Sequence, residues 1–298
     1  MMHRSMHTSP LSRRQWLASS LSLAAAPLLA AAKPRTVGVQ LYTVRGTLMK
    51  ESEHVIKTIA EIGYKEIEGA GRLDLITLLP LIKQYGMTAV SCHVETPLIT
   101  GDWEKYKGMK QVAVEDAIAS VKTAGVQYFT MAYIQPAARG DLDFYRKTAD
   151  QMNHTGELCK KAGLQFAYHN HAFEFGGTPG ERPIDIFKAR LDKKLVALEM
   201  DMFWVSVAGI DPLQMLQEWK GRVALLHLKD KEKGTPVQYT ESVARTAFKE
   251  VGAGSLDFPA LLKAAPGLGV KHYFVEQDQT PGDPLDSLKK SFEYLKTV

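Results

Sequence analysis

The chain has 298 residues, a formal net charge of +4 and only two cysteines, Cys92 and Cys159. That length allows one large core, and the near-neutral balance leaves no basic footprint for nucleic acid. Two cysteines exclude a disulfide-built scaffold, and buried free thiols are the expected state of both.

Residues 1–32 read as a targeting segment to be set apart from the fold. Ser12-Arg13-Arg14-Gln15-Trp16-Leu17 has a twin-arginine pattern, followed by an apolar stretch from Leu17 to Ala32. Ala30-Ala31-Ala32 offers a small-residue cleavage site before Lys33. The stretch falls short of the ~20 residues of a membrane span. The expectation is export to the periplasm by the twin-arginine route, with no membrane contact after cleavage. Loss of Arg4, Arg13 and Arg14 would lower the net charge from +4 to +1.

From residue 33 to 298 the chain alternates short apolar runs with longer amphipathic stretches. The runs 37–42, 65–68, 88–93, 126–131, 164–169, 195–200, 223–228 and 272–275 read as buried strands of a parallel sheet. Helical patterns fall between them, at 51–62, 73–85, 109–124, 143–162, 183–189, 212–219, 258–264 and 284–296. Glycines 63, 86, 125, 163 and 221 precede strands, as helix C-caps do. Eight such units without a Gly-rich phosphate fingerprint after the first strand predict a single (β/α)8 TIM barrel. Two long loops, 95–107 and 230–257, leave strand ends on the face that holds the chemistry. The second contains Gly252-Ala253-Gly254-Ser255, a turn suited to closing over a ligand.

Four strands end in metal-type ligands: His169, Asp201, His227 and Glu276. Convergence of two imidazoles and two carboxylates at one barrel mouth would bind one divalent ion. A mixed nitrogen and oxygen shell suits Mn, Co, Zn or Fe. His171 should share the face of His169, as ligand, base, substrate contact or orienting group. Glu174, set between Phe173 and Phe175, is either a general acid/base with a raised pKa or half of a structural ion pair. Lys229 should share the face of His227 and stabilise a developing oxyanion, or else lie on the surface. Glu199 lies deeper on the face of Asp201, as a buried partner for Lys229 or a catalytic group. Arg222, before the seventh strand, belongs to the opposite end.

Gln40-Leu41-Tyr42-Thr43-Val44-Arg45, Tyr168-His169-Asn170-His171, Glu199-Met200-Asp201 with Trp204, His227-Leu228-Lys229-Asp230 and Val275-Glu276-Gln277-Asp278 together resemble the xylose-isomerase-like TIM-barrel family. The resemblance runs from Val37 to Leu295. It implies metal-dependent proton abstraction beside a sugar carbonyl, with Asp201, His227 and Glu276 as ligands. Glu276, as a metal-bound carboxylate, is also a candidate to share a proton with substrate. His169 stands where many members carry glutamate, and Trp204 where ketose 3-epimerases carry histidine. The His-x-His variant resembles a branch acting on 3-keto-glycosides, in which elimination expels the C1 substituent. The implied substrate is a sugar or keto-sugar. The expected outcomes are isomerisation or epimerisation, or lyase and net hydrolase activity. Gln40, Glu68 and His93 would bond sugar hydroxyls, and Tyr42 and Trp204 would face the ring. A non-catalytic sugar-binding barrel and a metal-dependent endonuclease share the fold; four intact ligands and the weak net charge argue against them. A homo-oligomer remains open.

Overall fold

The computed structural model describes residues 36–298, which form one compact unit. The expected targeting segment, residues 1–32, lies outside the described residues. The strands are β1 (Gly38–Gln40), β2 (Glu66–Gly69), β3 (Thr88–Val94), β4 (Tyr128–Met131), β5 (Gln165–His169), β6 (Val196–Asp201), β7 (Val223–Leu228), β8 (Asp230–Lys231), β9 (Phe248–Lys249) and β10 (His272–Val275). The helices are α1 (Ser52–Ile62), α2 (Arg72–Gln84), α3 (Pro97–Thr100), α4 (Val114–Thr123), α5 (Leu142–Ala162), α6 (Pro183–Arg190), α7 (Met202–Val207), α8 (Pro212–Glu218), α9 (Phe258–Leu268) and α10 (Pro284–Leu295). β1 to β7 and β10 close into a parallel barrel, and β8 pairs with β9 as an antiparallel ribbon on top. All eight expected barrel strands and their alternation with helices are present. Among the described residues no helix is long and apolar enough to cross a membrane.

The side-chain period of two divides each strand between two cores. Val90, Tyr128, Ala167, Leu225 and Phe274 pack together as an inner layer, separate from the larger cluster between strands and helices. Layers of this kind fill a barrel of eight strands and leave no pore. The Phe274 ring needs Gly38 opposite it, since a Cβ there would stand 2.5 Å from the ring. The polar residues at the strand ends therefore rest on a packed apolar floor. Register irregularities at Ile67/Glu68 and Leu198/Glu199 lie beside them, as bulges near functional sites often do.

Local chemistry sets the element ends. β1 stops at Gln40 rather than residue 42, because the Gln40 side chain accepts the Tyr42 amide at 3.0 Å and caps a 3-10 turn, Leu41–Val44. The expected helix at 109–124 begins only at Val114. The five expected glycines all take positive φ, and Gly163 ends α5 with φ 83°. Cys92 and Cys159 are buried and free.

The turn at 252–255 differs from its expectation. Asp230 is fully buried and accepts four backbone amides from it, Gly252, Gly254, Ser255 and Leu256, at 2.8–3.1 Å. Gly252 packs against Tyr294 of α10. The turn is thus tied down by its own backbone and is no lid. The parts of the two long loops that meet the pocket are Glu95, Thr96 and Tyr106, and Glu241 with Phe248.

Candidate active site

The C-terminal strand ends surround a cavity of about 760 Å³. Its lining includes His93, His169, His171, Lys229, Glu276 and Asp278, with Tyr42, Tyr133 and Trp204 as aromatic walls. Gln40, Glu68, Glu174, Asp201 and His227 are buried and do not line it.

Each strand delivers its group by the same alternation. On β6, Glu199 and Asp201 share one face. Asp201 also caps α7, its Oδ1 accepting the Trp204 amide at 3.0 Å, while its Oδ2 has no hydrogen-bond partner. His227 Nδ1 lies 2.8 Å from Glu276 Oε2 and 3.9 Å from Asp201 Oδ2. The ligand atoms of Asp201, His227 and Glu276 fall within 4.8 Å of one another, a set fit to hold a metal ion. His169, expected as the fourth ligand, falls instead in a second such set with His93, Glu199 and His227. Its Nε2 is 3.8 Å from Asp201 Oδ2, and its Nδ1 is 3.2 Å from Glu199 Oε2. The ring thus stands between the two sets, one nitrogen toward each.

Lys229 is 1% exposed, so the surface alternative is excluded. Its Nζ is 3.0 Å from Asp201 Oδ2, 2.7 Å from Glu276 Oε2 and 2.6 Å from Asp278 Oδ1. Burial lowers its pKa, but the Asp201, Asp278 and Glu276 carboxylates outweigh that and hold it well above the ordinary lysine value. Burial acts on Glu276 in the raising direction, and Lys229 and His227 overcome it, so this carboxylate stays ionised. Glu199 is not the lysine's partner. It contacts His93, His169 and His227, because it sits one pleat below Asp201.

Gln40 and Glu68 also differ from expectation. Gln40 Nε2 donates to Glu68 Oε1 at 2.7 Å, and Glu68 Oε1 lies 2.6 Å from His227 Nε2. Both are fully buried and do not line the cavity. Only His93 of that trio meets the pocket, with 12% of its side chain exposed.

Glu174 is displaced further. After β5 the chain turns through a 3-10 turn, Phe173–Phe175, which carries Glu174 to the outer side of the strand. There it accepts the Tyr168 hydroxyl and, at 3.0 Å, the His171 amide. Burial pushes its carboxyl up to about 8, as its apolar neighbours predicted, but it does not face the cavity. It holds His171 by the backbone. His171 faces the pocket, its ring 4.8 Å from Tyr133 and 5.5 Å from Trp204, and its buried Nδ1 has no hydrogen-bond partner. Burial, then the charge of Lys229, lower its pKa and keep the imidazole neutral.

Two further pocket groups went unassigned in the sequence. Asp278 follows Glu276 by two positions, so the period that placed Lys229 after His227 also reaches it. Glu241, ion-paired to Arg139 at 2.7 Å, comes from the long loop after β7, where no periodicity points to it. Arg222 bonds the Lys188 and Leu191 carbonyls, a structural role as expected.

An inosose dehydratase of Clostridium perfringens is 30% identical over 162 residues, covering 51% of this chain and 54% of that protein. The chain thus spans about half the length of the curated relatives it matches. A sugar phosphate isomerase/epimerase from Parabacteroides distasonis superposes with a TM-score of 0.71 at 20% identity, over 90% of this chain and 96% of that one. The 3-keto-D-glucoside 4-epimerase of E. coli does so with 0.60 at 16% identity, over 88% and 99%. These likenesses carry the fold. Residues 56–298 match the sequence model described as "Xylose isomerase-like TIM barrel", and the chain belongs to that family.

Proposed function

We propose that this protein is a divalent-metal-dependent enzyme that abstracts a proton next to the carbonyl of a sugar or keto-sugar. The observation that carries the reading is the convergence of Asp201, His227 and Glu276 with Lys229 at the base of the cavity. The buried Asp201 Oδ2, which has no hydrogen-bond partner and has the Lys229 ammonium at 3.0 Å, fits an ion there. When bound, a divalent ion supplies Lewis-acid polarisation of a carbonyl. The other roles belong to the chain. The Lys229 ammonium sits where it can offset negative charge developing on the carbonyl oxygen. Neutral His171, held by Glu174 through its amide, is the group placed to take the proton. Trp204 and Tyr42 offer faces to a sugar ring. Glu276, ionised and bonded to Lys229, serves as a ligand and not as a proton donor.

Reprotonation gives isomerisation or epimerisation; loss of a β-substituent gives elimination. The relative that dehydrates an inosose favours elimination, and a 3-keto-glycoside is the substrate class in which the leaving group is the C1 substituent. The twin-arginine pattern places this chemistry in the periplasm in our reading.

The test is an NMR screen of free sugars, inososes and 3-keto-glycosides in deuterated water. Deuterium at the carbon beside the carbonyl without fragmentation marks an isomerase or epimerase, and release of the substituent marks a lyase. His227→Ala should fold yet lose turnover and the ion held by Asp201, His227 and Glu276. Full metal occupancy in that variant by elemental analysis removes the ligand set, and metal-loaded wild type inert toward every substrate would make the barrel a binding protein.

A further inference from the structure

Beneath the set just described lies a second collection of donors that the proposed reaction does not use. Glu199 Oε2 stands 2.8 Å from His93 Nε2, 3.2 Å from His169 Nδ1 and 3.4 Å from His227 Nε2. Atoms bound tetrahedrally to one transition-metal ion at about 2.0–2.2 Å lie about 3.4 Å apart. The His169 Nδ1 contact is not a hydrogen bond, and that nitrogen, Glu199 Oε1 and Glu68 Oε2 are all buried without a hydrogen-bond partner among protein atoms. The Glu199–His93 contact is a hydrogen bond; the His169 Nδ1 approach, which is not, is what a ligand atom shows.

The charge balance points the same way. Five carboxylates, Glu68, Glu199, Asp201, Glu276 and Asp278, share this region with one ammonium, Lys229, which contacts only the last three. With every imidazole neutral, four negative charges would stay uncompensated in a buried volume, where isolated charge is costly; protons held by His93, His227 and Glu199 reduce that number. One divalent ion at Asp201, His227 and Glu276 offsets half of them.

We propose that a second divalent-ion seat lies below the first, formed by His93 Nε2, His169 Nδ1 and Glu199 Oε2, with the Glu68 carboxylate 3.2 Å from His93 as the next donor. Two imidazoles and two carboxylates select a transition ion such as Zn²⁺, Mn²⁺, Fe²⁺ or Co²⁺ over Ca²⁺. Gln40 orients Glu68 from behind, and Glu68 faces His227 Nε2, which leaves His227 Nδ1 to the upper set. His93, partly open to the cavity, gives the ion its way in. Four protein donors leave no open position, so this seat is structural. It fixes the rings that border the reacting centre and neutralises the barrel floor. His169 and His93 thereby become ligands of the lower ion. Protons on His93 and Glu199 are the other means of balancing the charge, and stoichiometry separates the two.

The experiment strips the purified protein with a chelator and titrates it with Zn²⁺ alone by calorimetry. Elemental analysis after desalting gives the ions retained. Wild type should hold two ions per chain. Glu199→Gln and His93→Gln should each hold one, and so should the Asp201→Asn/Glu276→Gln double variant, with circular dichroism confirming the fold. One ion in wild type, lost only in the double variant, overturns the lower seat and leaves the proposed reaction standing. One ion lost only in Glu199→Gln and His93→Gln supports the lower seat and removes the upper one. No ion in wild type overturns both.

Discussion

Glu174 is a carboxyl with a raised pKa that does not line the cavity. Its pKa of about 8 exceeds the unfolded value, so the folded state binds its proton more tightly. The stability this gives is complete below the unfolded pKa near 4.5 and is lost as pH rises through 8. Between those limits stability should fall by up to about 1.4 kcal/mol per pH unit from this group alone. Glu174→Gln mimics the protonated form, so its melting temperature should decline less than that of wild type between pH 5 and pH 8. The same variant should keep deuterium exchange at the substrate carbon within about tenfold of wild type, short of the 10²–10⁴ of a general acid/base. A loss in that larger range would return Glu174 to the chemistry. The sequence shows the apolar setting of this residue, between Phe173 and Phe175. It does not show the 3-10 turn that sends the side chain outward, because strand alternation ends at His169. Glu199 is the converse case. Its face was legible from Asp201, but its partners depend on how deep it sits among neighbouring strands.

At the scale of elements, apolar runs bounded by polar residues identified every barrel strand, and a helix-capping glycine marked most helix ends. Two short helices, α3 and α7, escaped notice because a turn or two of helix has no period to read. α7 exists through its cap, the Asp201 carboxylate on the Trp204 amide. Glycine pairs in a loop read as freedom, yet the Asp230 carboxylate makes the 252–256 turn rigid. A Cβ at Gly254 would stand 2.4 Å from Asp230 Oδ1 and 2.5 Å from the Lys231 carbonyl. Gly254→Ala should therefore break the amide bonds to Asp230 and cost about 1–3 kcal/mol, the range for a buried polar group left unsatisfied. Hydrogen exchange at residues 252–256 should accelerate in that variant. Unchanged protection would mean that α10, and not Asp230, holds the turn.

At the scale of the whole molecule, length and strand count were enough for the barrel, whereas the cavity depends on side chains brought from all eight strand ends and two loops. Motif order pointed to Asp201, His227 and Glu276; no spacing in the chain could pair His93 with Glu199, which lie 106 residues apart. The proposed address is testable at this scale too. Replacing Arg13 and Arg14 by lysine should leave the precursor in the cytoplasm, and undiminished delivery to the periplasm would show the pair to be incidental. Closure of the barrel adds a constraint of time. β1 is sealed only when β10 pairs with it, and beside that seam the Gln277 amide meets Thr43 Oγ1 across 234 residues of chain. At ~5–20 residues per second of synthesis, roughly 10–50 s separate the two strands. Until then β1 has a partner on the β2 side alone and an open edge on the other. A chain stalled before residue 272 exposes that edge as a template for other strands, so ribosome pausing late in the message should favour aggregation more than pausing early.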